Sequence, residues 1–198
     1  MNNIHAVKTS VLPVLPLRGL PVFPYMIIHF DVGRSKSISA IEECMIEDQL
    51  LMLLAQKDPE LETITPDDLY TVGTIARVKQ ILKVSEDDVR VLVEGISRAR
   101  VDEFTQTSPY FECRVTEYAS YGEKSEEERM AEDAYVREIT KQCTAYFSLM
   151  GKFEKDAVTP FLSISDADQF ADVVAAALAV DIDVKQELLE EFDVGARL

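Results

Sequence analysis

An apolar segment interrupted by prolines limits what the beginning of this chain can form. Between residues 12 and 30 the only formal charge is Arg18. Four prolines break the segment: Pro13, Pro16, Pro21 and Pro24. Each proline removes a backbone donor and clashes with the preceding helical turn, so a membrane-spanning helix is excluded here. Nor does the segment have the charged start and small-residue cleavage site of a secretory signal. It is predicted to be extended chain with apolar side chains.

Alternation of apolar and polar residues predicts that residues 1–120 are mainly β-structure. The clearest case is Thr74–Val84, and one predicted face of this strand consists of Ala76, Val78, Leu82 and Val84. A polar turn at residues 85–88, followed by renewed alternation from Val89, predicts a hairpin. Ala99 and Val101 continue the pattern. Further strands are predicted at Val11–Leu17, Ile27–Val32, Leu50–Ala55 and around Phe111, Cys113 and Val115.

Helical periodicity appears once inside this β-rich part. Ser37 is predicted to cap that helix, which carries Ile38, Ile41, Met45 and Ile46 at helical spacing. The character of the sequence then changes near Tyr121. We therefore predict two parts, a β-rich subdomain at residues 1–120 and a small helical bundle at residues 121–198.

Three helices are predicted in the second part. The first begins in the acidic run 123–128, which suits a helix N-terminus, and ends near Gly151. Ser165 is predicted to cap the second helix and Asp183 the third. Their predicted inner faces are formed by Met130, Ala134, Ile139, Cys143, Tyr146, Phe147 and Met150, by Phe170, Val173, Val174, Ala177 and Leu178, and by Val184, Leu188, Leu189 and Phe192.

Charge and cysteine content restrict the partners and the compartment. The chain has 20 Lys+Arg against 36 Asp+Glu, a net charge of −16. Divided at residue 120, the first part carries 12 basic and 18 acidic residues and the second 8 and 18, or −6 and −10. Both parts repel phosphate groups, which argues against nucleic acid and anionic membranes as partners. Three widely spaced cysteines form no disulfide framework or metal-ligand spacing, which fits a reducing cytosol.

No complete catalytic constellation is present in the sequence. There is no phosphate-binding glycine loop and no metal-binding histidine motif, and the two histidines, His5 and His29, are isolated. The acidic runs 86–88 and 126–128 are more simply a turn and a solvated helix start than a catalytic pair. We therefore expect a domain that interacts rather than one that catalyses.

One segment concentrates large apolar side chains where proline has removed backbone pairing. Two interpretations are open: the residues plug one end of a β-barrel, or some remain exposed as a patch for an unfolded or extended partner. The candidate binding residues are Leu20, Pro21, Val22, Phe23, Pro24, Tyr25 and Met26.

A series of short motifs resembles the N-terminal domain of ATP-dependent Lon proteases. The series opens with Leu15-Pro16-Leu17-Arg18, Val22-Phe23-Pro24, Val32-Gly33-Arg34 and Ser37, followed by Gln56 and Asp58. It continues with Asp68-Leu69-Tyr70, Val72-Gly73-Thr74, Val91-Leu92-Val93-Glu94-Gly95 and Arg98. It ends with Phe170-Ala171-Asp172, the run from Lys185 to Glu190, and Arg197-Leu198. Each motif is weak alone, but their order spans nearly the whole chain. The arginines stand next to apolar runs and are expected to bond carbonyls or acids such as Glu94.

The resemblance implies an α+β fold: a PUA-like β pseudo-barrel with one inserted helix, followed by a small C-terminal helical bundle. It also implies a cytoplasmic, non-catalytic domain that recognises unfolded or damaged proteins and supports assembly of a homo-hexamer. The ATPase module, which uses ATP and Mg²⁺, and the Ser-Lys peptidase module would follow downstream. No cofactor is therefore expected within these 198 residues.

Two alternatives remain at this point. The chain could be a free-standing adaptor of the same family that acts without a protease. It could also be a small enzyme that uses surface carboxylates, although nothing in the sequence nominates a substrate. The adaptor and the protease fragment differ in one expectation. The natural chain would continue past Leu198 only in the protease.

Overall fold

The strands of the first part form one sheet, into which a single helix is inserted. The computed structural model describes residues 4–85, 88–120, 125–149 and 164–198. The strands are β1 Ile4–Leu17, β2 Ile27–Val32, β3 Leu50–Ala55, β4 Val72–Lys83, β5 Val89–Gln106 and β6 Glu112–Ser120. The helices are α1 Ser35–Ile46, α2 Glu126–Leu149, α3 Ala167–Ala177, α4 Ile182–Glu190 and α5 Val194–Arg197. The predicted mixture of strands and helices, with one helix among the strands, is confirmed.

The sheet closes into a ring because its two longest strands each pair along both edges. These strands are β1 and β5. β1 runs parallel to β3 and antiparallel to β6. β5, the 18-residue strand, pairs with β4, with β6 and with β2. A ring of β1, β3, β4, β5 and β6 results, and β2 is attached outside it along the first third of β5.

The core lies on both faces of β3, which explains its uninterrupted apolar sequence. Leu51 and Leu53 face a cluster that α1 covers through Ile41. Met52 and Leu54 face a second cluster, which contains Leu12, Val14, Phe111, Cys113 and Val115. The predicted buried strand at Leu50–Ala55 is therefore confirmed, with both faces in the core.

The predicted face of β4 is wrong beyond Val78. The pairing with β5 shifts between Val78 and Gln80, so Lys79 is an extra residue on β4. One extra residue reverses the alternation of side chains along the rest of a strand. Ile81 consequently packs on the core, whereas the predicted core residue Leu82 is 51% exposed. Val84, from the same predicted face, is also exposed.

The predicted helix starts are correct to within a few residues, but three of the predicted caps are not. α1 begins at Ser35, with Arg34 at its N-cap, and Ser37 lies buried in its first turn. α3 is capped by Asp166, which accepts from the Gln169 amide at 2.8 Å, rather than by Ser165. Asp181, not Asp183, holds the N-cap position of α4. In each case a residue one to three positions away from the predicted cap has the extended backbone that a cap requires.

The start of α2 follows the prediction. Ser125 and Glu128 form reciprocal hydrogen bonds, from the Ser125 amide to Glu128 Oε2 at 2.8 Å and from the Glu128 amide to Ser125 Oγ at 3.2 Å. Such a capping box satisfies two amides that the helix leaves free. The predicted end at Gly151, with Met150, falls outside the described residues.

The helices of the second part pack on the sheet as well as on each other. Cys143 of α2 contacts Phe170 and Val174 of α3. Ala175 of α3 and Leu189 of α4 instead pack with residues of the first part. The predicted inner faces are therefore only partly buried, and Met130, Ala134, Ala177 and Val184 are exposed. None of the described helices has both the length and the apolar character needed to cross a membrane.

A buried ionic cluster joins the sheet to the helices. Arg98 of β5 donates to both carboxylate oxygens of Asp172 on α3, with Nη1 at 2.6 Å from Oδ2. Arg197 donates to the same carboxylate and to Asp168. Arg98 Nε also donates to the Leu189 carbonyl at 3.1 Å. Arg98 therefore bonds a carbonyl and an acid, as expected, but the acid is Asp172, and Glu94 pairs with Lys79.

Further polar contacts cross the same junction. Gln186 of α4 donates from Nε2 to the Val72 carbonyl at 3.0 Å, and the Tyr70 hydroxyl lies 3.2 Å from Asp183 Oδ1. Three motif residues of the helical part, Asp172, Gln186 and Leu189, therefore hold the helices on the sheet.

Removal of the central carboxylate should destabilise the fold. Asp172→Ala leaves Arg98 and Arg197 buried without their shared acid, which typically costs about 3–5 kcal/mol. Urea denaturation followed by circular dichroism measures the change in the free energy of unfolding. Asp31→Ala is the matched control, because Asp31 pairs with Arg90 at the exposed surface, where such a pair contributes less than about 1 kcal/mol. Equal effects of the two substitutions would contradict the structural role of the cluster.

Candidate functional site

The segment singled out from the sequence is mostly buried. Tyr25 is exposed to 45% and Leu20 and Met26 are partly exposed, whereas the other four residues lie in the interior. These four are Pro21, Val22, Phe23 and Pro24. The centre of the segment is therefore buried, and only its two ends are exposed to solvent.

Phe23 is the anchor of this segment. Its side chain is fully buried and packs with Val72, Ala175 and Leu189, so it sits between the sheet and the helices. Its carbonyl lies so close to Gly95 that a Cβ there would approach it to 2.4 Å. Only glycine allows this approach, which explains why the motif needs that residue.

Backbone bonds hold the residues that follow Phe23. The Tyr25 amide donates to the Gly95 carbonyl at 2.9 Å, and the Gly95 amide donates to the Met26 carbonyl at 2.8 Å. Tyr25 has a φ of 65°, a left-handed conformation that is uncommon outside glycine and concentrates at functional positions. Burial, and secondly the charges of Asp168 and Asp166, raise the pKa of the Tyr25 phenol above 10.0, so it stays protonated at neutral pH.

An apolar surface continues from this segment into β2. Ile27, the first residue of β2, is 67% exposed, while Ile28 and Phe30 are partly buried against the core. β2 pairs with β5 along one side. Within the described ranges its other edge has no strand partner. This edge and the exposed ends of the segment form one continuous stretch of chain.

A groove of about 430 Å³ lies between β2 and the end of β1. β1 pairs with β6 only as far as Pro13, so the last residues of β1 leave the sheet open towards β2. We call this space the β1–β2 groove. Its lining residues are Leu15, Pro16, Leu17, Arg18, Leu20, Phe30, Asp31, Val32, Gly33, Arg34 and Ser37.

The groove has a cationic end. Arg34 donates from Nη1 to Gln56 Oε1 at 2.7 Å and from Nη2 to the Leu61 carbonyl at 3.0 Å. The expected bond from this arginine to a carbonyl is confirmed. Burial, and secondly the nearby charge of Arg18, lower the pKa of Arg34 from its usual range. The sequence placed Arg18 and Arg34 in separate motifs and gave no sign that they meet.

The groups that could support catalysis are poorly placed for it. Burial raises the pKa of the Cys44 thiol to about 11 and that of Cys113 to about 12, so neither is a thiolate at neutral pH. Cys143 is also buried, and its pKa is raised for the same reason. His29 is exposed on β2. In the part of the chain that the structure describes, no group of three or more His, Cys, Asp or Glu side chains could hold a metal ion.

Sequence comparison relates the chain to one region of the Lon proteases. The profile of the "ATP-dependent protease La (LON) substrate-binding domain" matches residues 11–198. The Lon protease of Clostridium acetobutylicum is 44% identical over 191 residues, which is 96% of this chain and 24% of that protein. The Lon protease of Desulforamulus reducens is 41% identical over 187 residues, or 94% of this chain and 23% of that protein. The chain thus spans about a quarter of the length of the curated relatives that it matches.

Solved structures agree on the fold. The N-terminal domain of the Mycobacterium avium complex Lon protease superposes with a TM-score of 0.65 at 21% identity, covering 95% of this chain and 94% of that one. The Lon N-terminal domain protein from Xanthomonas campestris gives a TM-score of 0.59 at 16% identity, with the same coverage. Because the profile covers nearly the whole chain, the chain belongs to the Lon protease substrate-binding domain family.

Proposed function

We propose that this chain recognises unfolded or damaged proteins as the substrate-binding part of a Lon-type ATP-dependent serine protease. The observation that carries the proposal is an apolar stretch of chain at the surface: Leu20 and Met26 are partly exposed, Tyr25 and Ile27 are exposed, and Leu20 lines the β1–β2 groove. Unfolded proteins expose apolar side chains and an extended backbone. The exposed apolar residues of this surface can contact such side chains, and the free edge of β2 can pair with such a backbone. The surface includes the exposed ends of the segment that the sequence indicated.

The position of β2 suits an extended ligand. An edge strand presents unpaired amides and carbonyls, which bind another extended chain through main-chain bonds. Main-chain bonding does not depend on sequence, as a protein that handles many substrates requires. The exposed Ile27 and Tyr25 add apolar contacts at the start of that edge. The hydrogen bond from the Tyr25 amide to Gly95 helps to hold Tyr25 in its left-handed conformation.

The wider context forms part of the same proposal. The domain would adopt a PUA-like pseudo-barrel at residues 1–120 with a helical bundle at residues 121–198, and would support assembly of a homo-hexamer in the cytoplasm. ATP and Mg²⁺ would act in a module outside these residues. The net charge of −16 argues against nucleic acid or anionic membranes as partners.

Binding of an unfolded protein tests the proposal. A reduced, iodoacetamide-blocked and dye-labelled protein should bind the chain in fluorescence anisotropy, and Ile27→Asp should weaken that binding about tenfold, since burying one such side chain is worth roughly 1.5–3 kcal/mol. Val11→Asp is the matched control, because Val11 is an exposed apolar residue on β1. Equal loss from both variants would point to charge alone, and absence of binding by the unmodified chain would refute the proposal.

Substitution of Phe23 should affect the fold rather than the surface. Phe23→Asp places a charge in the fully buried site between sheet and helices and is expected to lower the free energy of unfolding by more than about 3 kcal/mol. Ile27→Asp, at an exposed position, should stay within about 0.5 kcal/mol of the original chain. Thermal melts by circular dichroism distinguish the two. A normal melt for Phe23→Asp would show that this side chain is not part of the core.

A further inference from the structure

The free edge of β2 presents the backbone groups of every second residue. The Gly95 amide donates to the Met26 carbonyl at 2.8 Å, where the pairing between β2 and β5 begins. In an antiparallel ladder, successive residues direct their backbone groups to opposite edges of the strand. The even-numbered residues of β2 therefore face β5, and the odd-numbered residues face the free edge. These are Ile27, His29 and Asp31, and among the described residues their amides make no bond outside the strand ladder.

A proline prevents full strand pairing on the opposite side of the β1–β2 groove. The Leu17 carbonyl accepts from the Gln56 amide at 2.9 Å on the β3 side, and the Val14 amide donates to the Phe111 carbonyl at 2.7 Å on the other side. The same alternation along β1 directs the backbone of Pro16 into the groove, which this residue lines. Proline has no amide to donate. An extended ligand in the groove can therefore pair fully only with β2.

Pairing with β2 determines which side chains of the ligand enter the groove. Directly opposite residues of two paired strands have their side chains on the same face of the sheet. Phe30 lines the groove, whereas Ile27 and His29 are exposed on the other face of β2. A ligand residue opposite Phe30 would thus point into the groove, which Leu17 and Leu20 also line. Its two neighbours would point outward, so alternate residues of the ligand need to be apolar.

The two ends of the β2 edge differ in charge. At its start, burial and then the carboxylates of Asp168 and Asp166 raise the pKa of the Tyr25 phenol, and the opposing charge of Arg98 has a smaller effect. The start of the edge is therefore acidic. Its far end leads to Arg34, at the cationic end of the groove. A basic residue of a ligand is attracted to the start of β2 and repelled from its far end.

We propose that β2 pairs in antiparallel orientation with an extended segment of an unfolded protein in which alternate residues are apolar and a basic residue lies towards the C-terminal end. Antiparallel pairs are slightly more stable than parallel ones, and this orientation brings the C-terminal end of the ligand beside the start of β2. Main-chain bonds to the free edge provide affinity, and the groove selects the alternate apolar side chains. The inference rests on the proposed function, because it names the class of segment that the same surface binds.

Three seven-residue peptides test the pattern against the full 198-residue chain. The reference peptide alternates Thr and Val and ends in Lys. The second has the same residues with the three valines consecutive and Lys still last, and the third alternates but has Lys first. Each has a neutral dye at its N-terminus and an amidated C-terminus, and affinity is measured by fluorescence anisotropy. We expect the reference to bind about tenfold more tightly than the second peptide and about threefold more tightly than the third.

Backbone methylation of the reference peptide tests the hydrogen bonds. In antiparallel pairing the outward-pointing residues bond β2, so N-methylation of two threonines removes donors that face β2. N-methylation of two valines removes donors that face away from it. The two peptides have the same composition and are matched controls for each other. We expect methylation of the threonines to weaken binding about tenfold, and methylation of the valines to weaken it much less.

A proline in β2 makes the complementary test on the protein. His29→Pro removes an amide that faces the free edge but none that bonds β5, and proline occurs in edge strands in this orientation. We expect it to bind the reference peptide about fivefold more weakly than His29→Ala, which removes the same side chain and keeps the amide. Circular dichroism melts show whether both variants fold. If His29→Pro does not fold, the methylated peptides decide the question.

The outcomes separate this inference from the proposed function. Failure of the reference peptide to bind while the unfolded protein binds would overturn the inference alone. Equal binding of the reference and the peptide with consecutive valines would do the same, as would valine methylation with an effect as large as threonine methylation. Equal binding of the peptides with Lys last and Lys first would overturn the basic residue and its position. If neither the reference peptide nor the unfolded protein binds, both proposals are wrong.

Discussion

The contact between Arg98 and Asp172 is the interaction on which the rest of the arrangement depends. It withdraws charges from water, and burial raises the pKa of Asp172 above 3.8 against the opposing effects of Arg98 and Arg197. Buried ion pairs of this kind define geometry more than they add stability. Here they orient α3 on β5, and that orientation brings Ala175 and Leu189 onto Phe23. The apolar contacts of Phe23 therefore depend on the ionic contact between Arg98 and Asp172.

Much of the fold could be predicted from the sequence because its signals are local. β2 and β3 were predicted with the bounds they have, since each is a short apolar run between turn signals. The face of β4 beyond Val78 could not be predicted, because the bulge at Lys79 arises from pairing with β5. The partner of Arg98 was missed for a similar reason, as Asp172 lies 74 residues away.

The candidate site was predictable only in part. The prolines marked the segment around Phe23 as unusual, but apolar composition does not show which of its residues are buried, and the structure buries its centre while its ends reach the surface. The groove depends on Arg18, Arg34 and Ser37 meeting across the gap between β1 and β2. Each had appeared as a separate motif residue. Their convergence is a property of the closed sheet and has no signature along the chain.

The length of β5 has a mechanical consequence. β5 pairs with β2 at Val89–Glu94 and reaches the ionic cluster at Arg98 four residues later, with a bulge at Ile96 between them. Tension applied along β2 would load its six cross-strand pairs in shear, so they would resist together instead of opening one after another. That load would reach α3 and α4 through β5, and the bulge at Ile96 is the point on this path where the ladder of hydrogen bonds is broken. A pull on an extended ligand paired with β2 would thus be transmitted to the helices across this bulge.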